Sequence, residues 1–172
     1  MIVVLLGYMA SGKSVVGKKL ANTLNYDFID LDSYIETKES VSISELFQTK
    51  GEIYFRKIET LTLKEILNSN KNLVLSLGGG TPCYADNMDL INQSISESFY
   101  LKTSINSLAL RLVNEAALRP LIAHIHDLDA LKEFVGKHLF ERSSYYTKAK
   151  KMVITDEKSP EEIVEKIILE LF

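Results

Sequence analysis

A glycine-rich segment near the start of the chain carries the residue types that bind phosphate groups. Gly7 and Gly12 are followed by Lys13 and Ser14, in agreement with the pattern G-x-x-x-x-G-K-[ST]. The glycines permit a tight curl that turns successive backbone N–H groups towards one anion. The lysine adds a positive charge for the β- and γ-phosphates, and the serine hydroxyl is a suitable ligand for Mg²⁺. The pattern predicts that the chain binds a nucleoside triphosphate.

Two aspartates and a run of glycines could add the chemistry of phosphoryl transfer. Asp30 and Asp32 follow an apolar segment at 27–29, and three glycines occupy 78–80. One carboxylate could orient magnesium-bound water, while the other accepts a hydrogen bond from an acceptor hydroxyl. Alternatively, the aspartates only cap a helix at 33–38 and the glycines form a flexible turn. The phosphate-binding pattern upstream favours the functional interpretation.

Arginines are few in this chain, and three of them lie in segments where they could bind an anion. Arg56 follows a Gly-Glu pair, Arg119 precedes a proline, and Arg142 lies in an aromatic segment near the end of the chain. The planar guanidinium binds carboxylates and phosphates with two parallel hydrogen bonds. The residues alone do not place these arginines around one site. Together with the phosphate-binding pattern, these residues indicate an ATP-using phosphotransferase but do not identify the molecule that accepts the phosphoryl group.

The elements that must position these residues alternate between strand and helix. Helical spacing of apolar residues predicts helices at 14–25 and 54–68, and Ser159 is a fitting N-cap for a last helix that begins at Pro160. Five apolar runs predict strands at 2–6, 27–29, 73–77, 98–101 and 152–154. Such alternation implies a three-layer α/β/α fold with a five-stranded parallel sheet. Ligands in such folds bind at the carboxyl ends of the strands.

Composition narrows the class of protein further. A chain of 172 residues is long enough for one domain with its own hydrophobic core. Its content of 46% hydrophobic and 25% charged residues is typical of soluble proteins. The net charge of −3 argues against a nucleic-acid partner but not against a small anionic substrate. The single Cys83 excludes an internal disulfide framework and a multi-cysteine zinc site. With no membrane span or leader recognisable, we expect a cytoplasmic protein.

Taken together, the motifs resemble the shikimate kinase family, which belongs to the nucleoside-monophosphate-kinase-like P-loop group. In that family the P-loop is followed by Asp-x-Asp, Gly-Glu-x-x-Phe-Arg-x-x-Glu, a triple glycine, Arg-Pro-Leu and Arg-x-x-x-Tyr. The corresponding segments here are 30–32, 51–59, 78–80, 119–121 and 142–146. Their order and spacing cover almost the whole chain and make the combination specific.

The resemblance implies a P-loop kinase fold in a single domain, residues 1–172, with a mobile lid at about 112–128. It implies transfer of the γ-phosphoryl group of ATP to the 3-hydroxyl of shikimate with Mg²⁺ as cofactor. The products would be shikimate 3-phosphate and ADP, in the pathway to chorismate and aromatic amino acids. Shikimate would be the small-molecule partner of a monomer that binds neither nucleic acid nor membrane.

The resemblance also assigns roles to individual residues. Asp32 would act as the base, Lys13 and Arg119 would neutralise charge on the phosphoryl group, Ser14 would bind Mg²⁺ directly and Asp30 would bind it through water. The implied shikimate-binding residues are Asp32, Arg56, Gly78, Gly79, Gly80 and Arg142. The implied ATP-binding residues are Ala10, Ser11, Gly12, Lys13, Ser14, Val15, Arg111, Arg119, Lys158 and Pro160.

Two other functions remain open at this point. A related small-molecule kinase could act on gluconate or on a nucleoside monophosphate, and gluconate also carries a carboxylate for arginines to bind. A non-catalytic ATP-binding module would be expected to lack Lys13, Asp32 or the lid arginine, and none is missing. His124 and His126 in the predicted lid could suggest a metal, but no further ligands accompany them, which favours solvent-facing histidines.

Overall fold

The structure, a computed structural model, describes residues 1–69, 71–115, 122–125 and 127–172. Its strands are β1 (Ile2–Leu6), β2 (Asp27–Asp30), β3 (Leu73–Ser76), β4 (Ser96–Lys102) and β5 (Lys151–Ile154). They form one sheet in the order β2-β3-β1-β4-β5, and every neighbouring pair is parallel. The central strand β1 is entirely buried, as expected for a strand that is apolar at every position.

Helices cover both faces of the sheet. They are α1 (Lys13–Leu24), α2 (Leu31–Glu39), α3 (Ile43–Leu67), α4 (Asn87–Gln93), α5 (Ile105–Val113), α6 (Leu128–Tyr146) and α7 (Pro160–Leu171). Successive side chains of a strand point to opposite faces, and Val3 and Val4 accordingly belong to two separate buried clusters. One cluster includes residues of α1 and α7, and the other includes residues of α3, α5 and α6. The predicted three-layer α/β/α fold is therefore confirmed.

The helix predicted at 54–68 corresponds to the second of two helical segments that together form α3, and the first segment was not predicted. The sequence predicted a helix at 54–68, whereas α3 runs from Ile43 to Leu67. A capping box at Ser42 and Glu45 starts it, because each residue's side chain accepts a hydrogen bond from the other's backbone N–H. Gly51, with a φ of 82° and a ψ of 169°, is not helical, so α3 consists of two helical segments joined across a kink at this glycine.

The predicted lid at about 112–128 falls only partly within the described residues. Its first two residues belong to the end of α5, and its last residue begins α6. Residues 116–121, which include Arg119, and residue 126 lie outside the described part of the chain. Ile122 is buried against the helical layer, and His124 is exposed, as predicted for a solvent-facing histidine.

The carboxyl ends of β1, β2 and β3 bring the predicted motifs to one edge of the sheet. Leu5 of β1 and Asp30 of β2 are both in register with Ser76 of β3. The chain segments that follow these three strands must therefore lie side by side. Of the helices described, none combines the length and the apolar character that a membrane span requires.

Candidate active site

The phosphate loop, residues 7–14, leads from the central strand into α1. Gly12 has a left-handed φ of 96°, which glycine adopts without strain, and a Cβ on Gly7 would lie 2.8 Å from the carbonyl oxygen of Leu101. No side chain caps the N-terminus of α1. The first N–H groups of that helix thus have no side-chain acceptor, and together with the helix dipole they favour an anion.

Lys13 lies across the phosphate loop. Its ammonium nitrogen is buried and donates hydrogen bonds of 2.9 Å to the carbonyl oxygens of both Gly7 and Tyr8. These bonds fix the position of the positive charge over the curl of the loop. The lysine is accordingly placed where a phosphate group bound by the loop would meet it.

Ser14 and Asp30 bring two oxygen ligands together beside the loop. The Ser14 hydroxyl donates a hydrogen bond of 3.0 Å to Oδ2 of Asp30, while Oδ1 of Asp30 accepts one of 3.4 Å from the backbone N–H of Ser33. Asp30 therefore caps α2 and also faces the phosphate loop, so the two interpretations of this residue are compatible. A hydroxyl and a carboxylate are the oxygen donors that Mg²⁺ prefers.

Asp32 lies in the first turn of α2, where burial raises its pKa to about 6 from an ordinary 3.8. The negative charges of Asp30 and Glu59 raise this pKa further, and Lys13 opposes them. The carboxylate is directly beside the glycine segment, residues 78–80, because a Cβ on Gly78 would lie 2.9 Å from Oδ1 of Asp32. A carboxylate with a pKa near the working pH is suited to general base catalysis.

Arg56 is held beside the same glycine segment by a buried carboxylate. Its Nη1 donates a 2.9 Å hydrogen bond to Glu59, whose other carboxylate oxygen accepts a 2.6 Å bond from the Thr81 hydroxyl. The guanidinium also lies 4.5 Å from the ring centre of Tyr84. A Cβ on Gly80 would lie 2.9 Å from Nη2 of Arg56, so this glycine allows the close approach.

α6 presents a second arginine to the glycine segment. The Tyr146 hydroxyl donates a 2.6 Å hydrogen bond to the carbonyl oxygen of Gly79, which connects α6 to the segment. Nη1 of Arg142 would lie 3.6 Å from a Cβ on Gly79. The guanidinium carbon of Arg142 is 5.7 Å from the ring centre of Tyr8. Two guanidinium groups from different helices thus face neighbouring glycines.

A cavity of about 460 Å³ lies between the phosphate loop and the glycine segment. Asp30, Asp32, Gly78 and Gly79 line one part of it. The predicted ATP-binding residues that line it are Ala10, Ser11, Gly12, Lys13, Ser14, Val15, Arg111, Lys158 and Pro160. Arg119, which was also predicted to bind ATP, is not among the described residues.

The remaining predicted shikimate-binding residues adjoin this cavity. Gly80 continues the glycine segment beside Arg56, and Arg142 faces Gly79. At the opposite end, Nη1 of Arg111 donates a 2.9 Å hydrogen bond to the carbonyl oxygen of Ala10. The geometry therefore brings all the described candidates to one region of the molecule.

Sequence reasoning assigned no role to several residues of this region. Glu59 stands three residues after Arg56 on a helix, a spacing at which opposite charges meet, and that signal could have indicated the pair. Tyr8 and His138, by contrast, lie 130 positions apart and form a hydrogen bond that no local pattern indicates.

The fold and the loop together define the class of protein. A parallel α/β sheet whose central strand leads through G-x-x-x-x-G-K-[ST] into a helix is the architecture of P-loop phosphate-binding proteins. The family model described as shikimate kinase matches residues 9–172. This chain belongs to the shikimate kinase family.

Individual relatives agree with this assignment over nearly their whole length. A shikimate kinase of Flavobacterium johnsoniae is 46% identical over 166 residues, which cover 96% of each chain. The crystal structure of the shikimate kinase from Bacteroides thetaiotaomicron has a TM-score of 0.91 at 34% identity, covering 99% of this chain and 98% of that one. A shikimate kinase from Acinetobacter baumannii in complex with shikimate has a TM-score of 0.86 at 29% identity, covering 99% and 92%.

Proposed function

We propose that this protein transfers the γ-phosphoryl group of ATP to the 3-hydroxyl of shikimate, which yields shikimate 3-phosphate on the route to chorismate. The observation that carries the proposal is the position of a half-buried carboxylate, Asp32, between a phosphate loop and two arginines. Arg56 and Arg142 supply the charge that a carboxylate-bearing acceptor requires. Family membership and the shikimate complex of a relative support the same acceptor.

The nucleotide would occupy the cavity with its phosphates on the phosphate loop. Lys13 and the N-terminus of α1 would bind the β- and γ-phosphates, whereas Arg111, Lys158 and Pro160 would border the adenine. The cavity joins these residues without a break, which supports this orientation of ATP. Arg119 would add a further positive charge to the phosphates.

Mg²⁺ would be held by the Ser14 hydroxyl directly and by Asp30 through water. Their oxygen atoms are 3.0 Å apart, which fits a cation that takes one or two protein oxygens and completes its shell with phosphates and water. A cluster of three or more histidine, cysteine or acidic side chains is absent from the part of the chain that the structure describes, in keeping with such an arrangement. When bound, the cation would neutralise charge on the phosphates.

On the acceptor side, Arg56 and Arg142 would bind the shikimate carboxylate and Asp32 would face the 3-hydroxyl. The hydroxyl oxygen forms a bond to the γ-phosphorus while the bond between that phosphorus and the bridging oxygen of ADP breaks. The hydroxyl proton passes to Asp32, which is mostly ionised above pH 6 because its pKa is about 6. Most of the rate enhancement would come from positioning and charge neutralisation.

The alternatives from the sequence are weaker on specific grounds. A nucleoside monophosphate offers no carboxylate for the arginines. A gluconokinase from Sinorhizobium meliloti has a TM-score of 0.58 at 18% identity, so its likeness to this chain extends to the fold alone, whereas the shikimate kinases are similar in sequence as well. A non-catalytic module has no use for a base whose pKa is raised to about 6 beside a phosphate loop.

The decisive experiment measures ADP release with ATP and Mg²⁺ while shikimate, gluconate and nucleoside monophosphates are added in separate assays. We expect a large increase with shikimate alone, and a Lys13→Met variant as control should lose that increase. Turnover with gluconate or a nucleoside monophosphate would mean that the protein is a phosphotransferase but that shikimate is not its acceptor. Equal ADP release with and without every acceptor would overturn the proposal in favour of a binding module.

A further inference from the structure

Tyr8, inside the phosphate loop, contacts both halves of the candidate site. Its backbone carbonyl accepts the hydrogen bond from Lys13, and the guanidinium of Arg142 lies 5.7 Å from the centre of its ring. Its hydroxyl lies 3.0 Å from Nδ1 of His138. The residue is only 1% exposed, so its ring and hydroxyl are fixed by their surroundings.

The protonation states of this pair determine the direction of the hydrogen bond. Burial raises the pKa of Tyr8 to about 12, so its hydroxyl keeps its proton. Burial and the positive charge of Arg142 lower the pKa of His138, which leaves the ring neutral at physiological pH. Tyr8 can therefore donate to Nδ1 of His138, with the ring proton of the histidine on Nε2.

His138 shares a face of α6 with the residues that reach the acceptor side. His138, Arg142 and Tyr146 follow one another at intervals of four residues, a spacing that places their side chains on one side of a helix. Tyr146 bonds to Gly79 at one end of this row, and His138 bonds to Tyr8 at the other. Arg142 lies between these two anchors.

We propose that Tyr8 and His138 are positioning residues for acceptor binding, because their hydrogen bond fixes Arg142 relative to the phosphate loop. This inference rests on the proposed function. Without the bond, the part of α6 that carries Arg142 would lose its hydrogen bond to the phosphate loop and keep the one from Tyr146 to Gly79. The guanidinium would then be free to shift away from the acceptor carboxylate while Lys13 kept its place.

The test compares Michaelis constants for shikimate and for ATP in matched variants. Tyr8→Phe keeps the ring and the backbone carbonyl but removes the hydroxyl, and His138→Leu removes the acceptor. We expect each variant to raise the KM for shikimate about threefold to tenfold, the effect of one hydrogen bond, with the KM for ATP changed by less than about twofold. His138→Asn should restore near-normal values, since its amide oxygen can occupy the position of Nδ1.

A double variant and a surface control test whether the effect comes from the hydrogen bond between Tyr8 and His138. Tyr8→Phe combined with His138→Leu should raise the KM for shikimate no more than the larger single change, because both remove the same bond. Lys137→Gln, the adjacent exposed position on α6, should leave both constants unchanged. Thermal unfolding of every variant establishes that each is folded.

Each outcome decides something. Equal rises in both Michaelis constants, additive effects in the double variant, or no change in Tyr8→Phe would overturn the inference while leaving shikimate as the acceptor. A wild-type protein that does not turn over shikimate would overturn the proposed function, and with it this inference.

Discussion

Nη1 of Arg56 lies 2.9 Å from the carboxylate of Glu59, whose side chain is only 1% exposed. The pair is formed within one turn of α3, and the Thr81 hydroxyl satisfies the other carboxylate oxygen. The carboxylate thus orients the guanidinium and offsets its charge. Breaking a pair of this kind costs more than an exposed ion pair contributes, because one charge is left buried without its partner.

Glu59→Gln should therefore weaken both the fold and acceptor binding. We expect the free energy of unfolding to fall by about 2 kcal/mol, because the Arg56 charge loses its counter-charge, and the KM for shikimate to rise. Urea unfolding and steady-state kinetics measure the two effects. Glu52→Gln is the matched control, since that partner is 54% exposed at 3.5 Å and should change stability by less than about 0.5 kcal/mol.

Asp32→Asn should abolish turnover and stabilise the protein at neutral pH. A carboxyl whose pKa is raised from 3.8 to about 6 on folding makes the fold less stable as pH rises between those values. The amide removes that penalty, which is at most about 3 kcal/mol. Unfolding at pH 8 should show the gain and unfolding near pH 3.5 should not. A variant that is less stable at both pH values would contradict the burial argument.

The pH dependence of kcat/KM for shikimate should report the same carboxyl. We expect activity to fall about tenfold per pH unit below pH 6, because protonated Asp32 cannot accept the hydroxyl proton. Asp30→Asn removes one of the charges that raise this pKa, so the falling limb should move to lower pH even though overall activity is reduced. An unchanged limb in that variant would assign the titration to another group.

The three glycines after β3 should respond differently to alanine. A Cβ on Gly78 or Gly80 would lie 2.9 Å from Asp32 or Arg56 respectively, whereas on Gly79 the nearest atoms are 3.6 Å away. Gly78→Ala should therefore lower kcat, and Gly80→Ala should raise the KM for shikimate. Gly79→Ala, as the internal comparison, should change both by less. Equal losses of activity at all three positions would mean that the effect of a side chain does not depend on its distance to Asp32 or Arg56.

The strands were predictable because each is a short apolar run, and all five lie within two residues of the expected positions. α6 was not predicted, and the reason is physical. After the buried Leu131 and Val135, its inward positions are taken by His138, Arg142 and Tyr146, so polar groups interrupt the apolar stripe that marks a helix in sequence. The residues that α6 contributes to the candidate site are therefore the ones that prevent its prediction from apolar spacing.

Long-range pairs were beyond sequence reasoning for a related reason. The single-residue signals for Asp32 and Arg56 came from recognisable motifs, but the contact between Tyr8 and His138 depends on how α6 packs against the phosphate loop. Packing of that kind follows from the complete fold, since neither residue type is unusual in its local context. The raised pKa of Asp32 likewise depends on burial and on Glu59, neither of which a linear pattern reveals.

The strand order β2-β3-β1-β4-β5 separates the two proposed ligands in space. The candidate base and glycine segment follow β2 and β3 on one side of the central strand, while Arg111 and Lys158 follow β4 and β5 on the other. Shikimate and adenosine would therefore approach the γ-phosphorus from opposite flanks. Approach from opposite sides is what an in-line displacement at phosphorus requires, and the strand order provides it before any catalytic side chain is considered.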